Sequence, residues 1–169
     1  MSSSTADRAS EIFTAAVVTV SDSCARGERK DLSGPAVAEV LGKYQFRVTS
    51  CEVVPDDLIR IQNLLIRLSR EVRLVVTTGG TGVSPRDVTP EATEKICERR
   101  LDGVAEVMRS EGRKKTPLAA LSRGLCGTRG TSLILNLPGS PAGAVESLQA
   151  VIGLFPHALQ LLAGHTEHS

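Results

Sequence analysis

Short apolar runs rich in β-branched residues alternate along this chain with segments whose apolar positions recur at helical spacing. Ala15-Ala16-Val17-Val18-Thr19-Val20 is short, continuous and β-branched, the pattern of a strand buried on both faces. Gly34-Pro35 then opens a helix, with Pro in the first turn and Val37, Val40 and Leu41 on one face. Phe46 to Val54 reads as a second strand, and Leu58, Ile61, Leu65 and Leu68 as the buried stripe of a second helix. Arg73 to Thr78 is a third strand. Thr89-Pro90-Glu91 is a helix start, with Thr89 as cap, Pro90 in the first turn and Glu91 complementing the dipole, and that helix is expected to run to Arg100. A further helix is expected over Val104 to Gly112. Ser132 to Leu137 is a fourth strand, closed by Pro138-Gly139. The last helical stretch carries Val145, Leu148, Val151, Ile152, Phe155, Leu159 and Leu162 on one face, with a break at Pro156. Strand–helix alternation of this kind predicts an α/β sandwich around a mostly parallel central sheet.

Composition narrows the picture. The 169 residues suit one domain, expected over 11–163 between polar tails at 1–10 and 164–169. Only 2% of residues are aromatic, so the core must be aliphatic and the stacking platforms of single-stranded nucleic-acid binders are missing. A net charge of +1 likewise argues against a nucleic-acid partner, so any anion must be met locally. Cys24, Cys51, Cys97 and Cys126 show neither metal-knuckle nor disulfide spacing and are expected to be reduced. The Ser-rich start lacks an apolar signal core, and no apolar run is expected to approach the roughly 20 residues of a membrane span. The expectation is a cytoplasmic protein without a membrane partner.

Four strands end in polar or glycine-rich clusters: Ser21-Asp22-Ser23, Pro55-Asp56-Asp57, Gly79-Gly80-Thr81-Gly82 with Ser84-Pro85-Arg86-Asp87, and Asn136-Leu137-Pro138-Gly139-Ser140. If these strands are parallel, all four clusters meet at one sheet edge, where α/β proteins bind ligands. The glycine cluster lets backbone N–H groups approach an anion, but it is also what a tight structural turn would use. It is neither a Walker A loop, for want of the Lys, nor a dinucleotide fingerprint, since Pro85 stands where the third glycine belongs. Asp56 and Asp87 are the carboxylates suited to hold Mg²⁺ on a polyphosphate. The competing readings are a helix cap for Asp56, and a helix-entry residue or an ion pair with Arg86 for Asp87. Ser122-Arg123 and Thr128-Arg129 could offer a hydroxyl and cations to phosphates or be solvated loop residues. Arg113-Lys114-Lys115 reads more simply as surface charge, and His157 as a core or interface histidine.

Thr77-Thr78-Gly79-Gly80-Thr81-Gly82, followed by Arg86-Asp87-Val88-Thr89-Pro90-Glu91-Ala92-Thr93, closely resembles the signature of the MogA/gephyrin G-domain family, the molybdopterin adenylyltransferases. Shorter matches occur in family order at Thr19 to Ser23, Ser33-Gly34, Val54 to Asp56, Thr116-Pro117, Leu121 to Arg123, Gly127 to Gly130 and Asn136 to Gly139. The resemblance implies a three-layer α/β/α fold, a homotrimer, and transfer of AMP from Mg-ATP to the terminal phosphate of molybdopterin with release of pyrophosphate. It places the key acids, catalytic and Mg²⁺-holding, at Asp56 and Asp87. Thr78, Gly79, Gly80, Thr81 and Gly82 would hold nucleotide phosphates, with Asn136, Pro138, Gly139 and Ser140 closing the nucleotide side. Ser21, Asp22 and Ser122, with Arg123, would lie near the pterin and phosphate groups. A molybdenum-insertion protein is a candidate partner. Leu32, where many members carry a basic residue, and Asp102, where Pro is common, depart from the pattern and bear on loop shape and the trimer contact. The alternative within the resemblance is a MoaB-type carrier or scaffold with little catalysis.

Overall fold

Strand β1 (Phe13–Val20) lies next to the edge strand of a six-stranded sheet with β2 (Phe46–Val54), β3 (Leu74–Thr78), β4 (Arg99–Arg100), β5 (Cys126–Arg129) and β6 (Ser132–Leu137), in the order β2-β1-β3-β6-β5-β4. These come from a computed structural model that describes residues 11–166; the tail expected at 1–10 lies outside the described residues, as does 167–169 of the second tail. β2, β1, β3 and β6 run parallel, with Thr19 beside Thr78 and Thr78 beside Leu137. β5 returns antiparallel to β6, and β4 antiparallel to β5.

Alternation within each central strand feeds two cores. Ala15, Val17, Leu74, Val76, Leu133 and Leu135 face helices α2 (Ser33–Gly42), α5 (Asp102–Arg113), α6 (Pro141–Val151) and α7 (Phe155–Leu162). Ala16, Val18, Val75 and Ile134 face α3 (Leu58–Glu71) and α4 (Thr89–Ile96). The three-layer α/β/α sandwich follows from this division, because strands buried on both faces need helices on both. A single-turn helix, α1 (Asp22–Ala25), leads out of β1.

Local differences from the sequence expectation have physical causes. Thr89 is not the cap of α4 but its first residue; the cap position is Val88, which makes no side-chain hydrogen bond. The Thr89 hydroxyl instead donates to the Gly79 carbonyl at 3.0 Å. The helix stops at Ile96 rather than Arg100, because Cys97 turns extended and Arg99–Arg100 pair with β5. The break expected at Pro156 falls before it, in a 3-10 turn at Ile152–Leu154, and Pro156 sits in the first turn of α7, where a missing N–H is harmless. Pro141–Leu162 forms a 22-residue helical run of mean hydropathy 1.2, longer than the apolar runs expected from the sequence. Its Leu148, Val151, Phe155 and Leu159 are wholly committed to the core.

Candidate active site

β1 connects leftward to β2 and β3 rightward to β6, so the sheet reverses its winding between β1 and β3, and a crevice opens beyond their carboxyl ends. There the chain after β3 must turn hard against the end of β1. Gly79 and Gly80 make that turn at φ values of 102° and 69°, which side chains rarely tolerate. A Cβ on Gly79 would run into the Val20 carbonyl, and one on Gly80 would lie 3.1 Å from Asp56 Oδ1. The turn therefore fits closely between β1 and the acid that follows β2.

A cavity of about 380 Å³ occupies the crevice, and Ser21, Asp56, Thr78, Gly79, Gly80, Asp87, Gly139 and Ser140 all line it. The four strand-end clusters thus converge. Its other wall is the loop carrying Arg29, Lys30 and Asp31, which the sequence reading did not single out. Asp31 fixes that wall by accepting from the Thr19 hydroxyl at 2.7 Å and the Gly34 N–H at 3.0 Å. The only sequence signal for it was a basic stretch after a strand end, hidden in a near-neutral total charge.

The neighbours of the two acids set aside the cap reading of Asp56 and the ion-pair reading of Asp87, while Asp87 keeps its place at the entry to α4. Asp57, not Asp56, caps α3, accepting from the Arg60 N–H at 2.9 Å. Asp56 Oδ2 accepts from the Asp22 N–H at 3.0 Å, while the Asp56 N–H donates to Asp22 Oδ1 at the same distance. That reciprocal pair leaves Oδ1 of Asp56 toward the glycine turn. Burial raises the Asp56 pKa, the Asp22 hydrogen bond opposes the rise, and the charges of Asp22 and Asp87 add to it. Arg86 pairs with Asp22 (2.8 Å) instead of with Asp87 and holds the Asp22 carboxyl below its usual range. Asp87 Oδ2 accepts from the Ser84 N–H at 3.1 Å.

Two carboxylates around a cavity with room for phosphate oxygens and water match the sparse protein ligation that Mg²⁺ favours. Among the described residues neither Asp56 nor Asp87 is in an ion pair, Arg86 being taken by Asp22, so both carboxylates keep their charge for a cation. The residues present therefore fit the ion.

Other sequence candidates stand apart from the cavity. Asp22 borders an adjoining surface depression with Cys24, Arg26 and Arg60. Ser122, Asn136 and Pro138 border a small void of about 40 Å³ beside α5. Asn136 is buried, donating to Thr77 Oγ1 at 3.1 Å and Thr93 Oγ1 at 3.0 Å. The Pro138 carbonyl accepts from the Thr78 hydroxyl at 2.7 Å. Thr81 is buried and Gly82 lies against Asp87, where a Cβ would meet Oδ2 at 2.9 Å. Arg123 is turned onto the glycine loop, donating to the Gly82 carbonyl at 2.8 Å. Thr128 is buried in β5, and Arg129 donates to the Ile96 carbonyl at 2.8 Å. Lys114 and Lys115 are engaged in surface ion pairs with Glu111 and Glu146.

Residues 16–157 match the family described as a probable molybdopterin binding domain. A molybdopterin adenylyltransferase from Helicobacter pylori is 44% identical over 153 residues, spanning 88% of this chain and 87% of its own. One from Escherichia coli is 37% identical over 164 residues, spanning 88% and 84%. Among solved structures, the molybdopterin biosynthesis enzyme MoaB from Thermus thermophilus superposes with a TM-score of 0.85 at 51% identity, covering 90% of this chain and 98% of that one. With the glycine turn, the paired acids and the match all falling in one stretch of sequence and one crevice, the chain belongs to the MogA/MoaB family of molybdopterin-binding domains.

Proposed function

We propose that this protein is a molybdopterin adenylyltransferase, moving AMP from ATP to the terminal phosphate of molybdopterin. The observation that carries the reading is the meeting of Asp56, Asp87 and the Gly79-Gly80 turn in one cavity. The names of its relatives from Helicobacter pylori and Escherichia coli support it independently. In the reaction, an oxygen of the molybdopterin phosphate attacks the α-phosphorus of ATP in line. A new P–O bond forms there, the bond from the α-phosphorus to the bridging oxygen breaks, and pyrophosphate leaves. Asp56 and Asp87 are the residues that would hold Mg²⁺, which supplies charge neutralisation on the triphosphate. The chain contributes position and electrostatics rather than a nucleophile, which is what such transfers chiefly require. Arg29 and Lys30 bring positive charge to the lining of the same cavity.

The test is pyrophosphate release from ATP by the purified protein. It is expected only when molybdopterin and Mg²⁺ are both present. No release with molybdopterin bound would favour the second reading, a MoaB-type carrier or scaffold. The same proposal puts the reaction in the cytoplasm, with a molybdenum-insertion protein as the next acceptor; fractionation and co-purification test these. It also makes the working unit a homotrimer, so light scattering should return three times the chain mass of 17.9 kDa.

A further inference from the structure

The loop between Gly80 and Thr89 carries Asp87 but contains no regular secondary structure, so something outside it must set where that carboxylate points. Its ties to the rest of the molecule are few. On the exposed side, Arg86 reaches Asp22. On the inner side Val88 packs against the core under α3 and α4, and among the described residues the hydrogen bonds onto 81–87 from outside the loop come from Arg123. Arg123 Nε donates to the Gly82 carbonyl at 2.8 Å, Nη2 donates to the Asp87 carbonyl at 3.0 Å, and Nη1 donates to the Glu91 carboxylate at the start of α4. The Arg123 N–H donates to the Thr81 carbonyl at 2.8 Å. Four contacts from one residue thus land on residues 81–91. Arg123 is itself seated on a fixed segment, because Arg109 donates to the Gly124 carbonyl at 3.1 Å.

We propose that Arg123 is a positioning residue for the adenylyl transfer proposed above, its planar guanidinium clamping the glycine loop so that Asp87 faces Asp56 across the cavity. A cation reserved for a phosphate would keep its donors free for the cavity, which Arg123 does not border. Here Nε and both terminal nitrogens are spent on the loop and on Glu91. The flat fork matters as much as the charge, since a Lys ammonium cannot reach three acceptors spread over Gly82, Asp87 and Glu91 in fixed directions. Small displacements of a reacting or metal-holding group cost on the order of 100-fold in rate, so a loosened Asp87 should be visible kinetically.

The experiment compares wild type, Arg123→Ala, Arg123→Gln, Arg123→Lys, Asp87→Asn and the double variant Arg123→Gln/Asp87→Asn. Hydrogen exchange is read at Ser84 and Asp87, whose amides bond to the Asp87 carboxylate and the Ser84 carbonyl. Positioning predicts that all three Arg123 variants lose protection at these amides while the β1 and β3 amides keep theirs. It further predicts that kcat falls ~10- to 100-fold, that more Mg²⁺ is needed for half-maximal rate, and that Lys rescues little. The double variant should be no slower than Asp87→Asn alone, because Arg123 acts through Asp87. A raised KM for ATP with kcat intact, full rescue by Lys, or unchanged exchange would each overturn the proposal. If wild type releases no pyrophosphate, the adenylyl-transfer reading fails, and the exchange data still decide whether Arg123 holds the loop. Gln keeps part of the alkyl stem, so exchange and kinetics remain readable if the Ala variant unfolds.

Discussion

Burial lifts the Asp56 carboxyl above its ordinary value of 3.8, and the charges of Asp22 and Asp87 push the same way against the Asp22 hydrogen bond and the Arg86 charge. For an acid this means that the folded state holds the proton more tightly than the unfolded chain. The group's favourable contribution is therefore complete below 3.8 and is lost as pH rises through the elevated folded value. Asp56→Asn should consequently be more stable than the parent at neutral pH, with the gain disappearing below 3.8. Denaturant midpoints at the two pH values check this, and an equal difference at both would contradict it. The same acid that weakens the empty fold is the one suited to a divalent cation, the usual trade between stability and a poised site. Asp56 and the paired glycines were legible in the sequence because each sits just past a strand end, whereas Asp87 lies further along an irregular loop and was marked by its motif. The roles of Asp57 as cap and Asp22 as brace were not, since adjacent carboxylates differ only in which way the backbone turns them.

Among the elements, the polar residues under the site behave as fasteners. Asn136 on β6 joins Thr77 on β3 and Thr93 on α4, and its Oδ1 accepts from the Leu125 N–H at 3.3 Å. Thr93 in turn donates to the Thr89 carbonyl at 2.8 Å, one turn back toward the residue that holds Gly79. Asn136→Ala leaves the Thr77 hydroxyl and the Leu125 N–H without their side-chain partner, while Thr93 keeps its bond to the Thr89 carbonyl, and should cost ~2 kcal/mol in chemical denaturation; a loss within error would mean that the network is dispensable. The family resemblance places Asn136 on the nucleotide side, and in the fold its side chain is bonded to buried neighbours. The long strands and α3 could be read from period alone, and β2 has the same limits in the fold as in the pattern. β5 and β4 could not. Cys126-Gly127-Thr128-Arg129 has no alternation to detect, and two arginines in a row look like a helix end until a partner strand is beside them.

At the scale of the whole molecule, function depends on four parallel strands delivering their ends to one rim. The α/β class and that convergence follow from the order of apolar runs, and the antiparallel edge pair does not disturb them. What the linear order withholds is the far wall. Arg29 and Lys30 come to line the same cavity as Asp56 and Asp87 because the chain between α1 and α2 passes beside the crevice. The central claim is that acids from separate strand ends act together on a metal-bound triphosphate. Its most direct test is molybdopterin-dependent pyrophosphate release by Asp87→Asn beside wild type at saturating Mg²⁺, with thermal unfolding of both. Loss of such an electrostatic contact predicts a rate lower by roughly 100-fold, about 3 kcal/mol in the barrier, in a variant that melts as wild type does. Near-normal turnover by a well-folded Asp87→Asn protein would contradict the account.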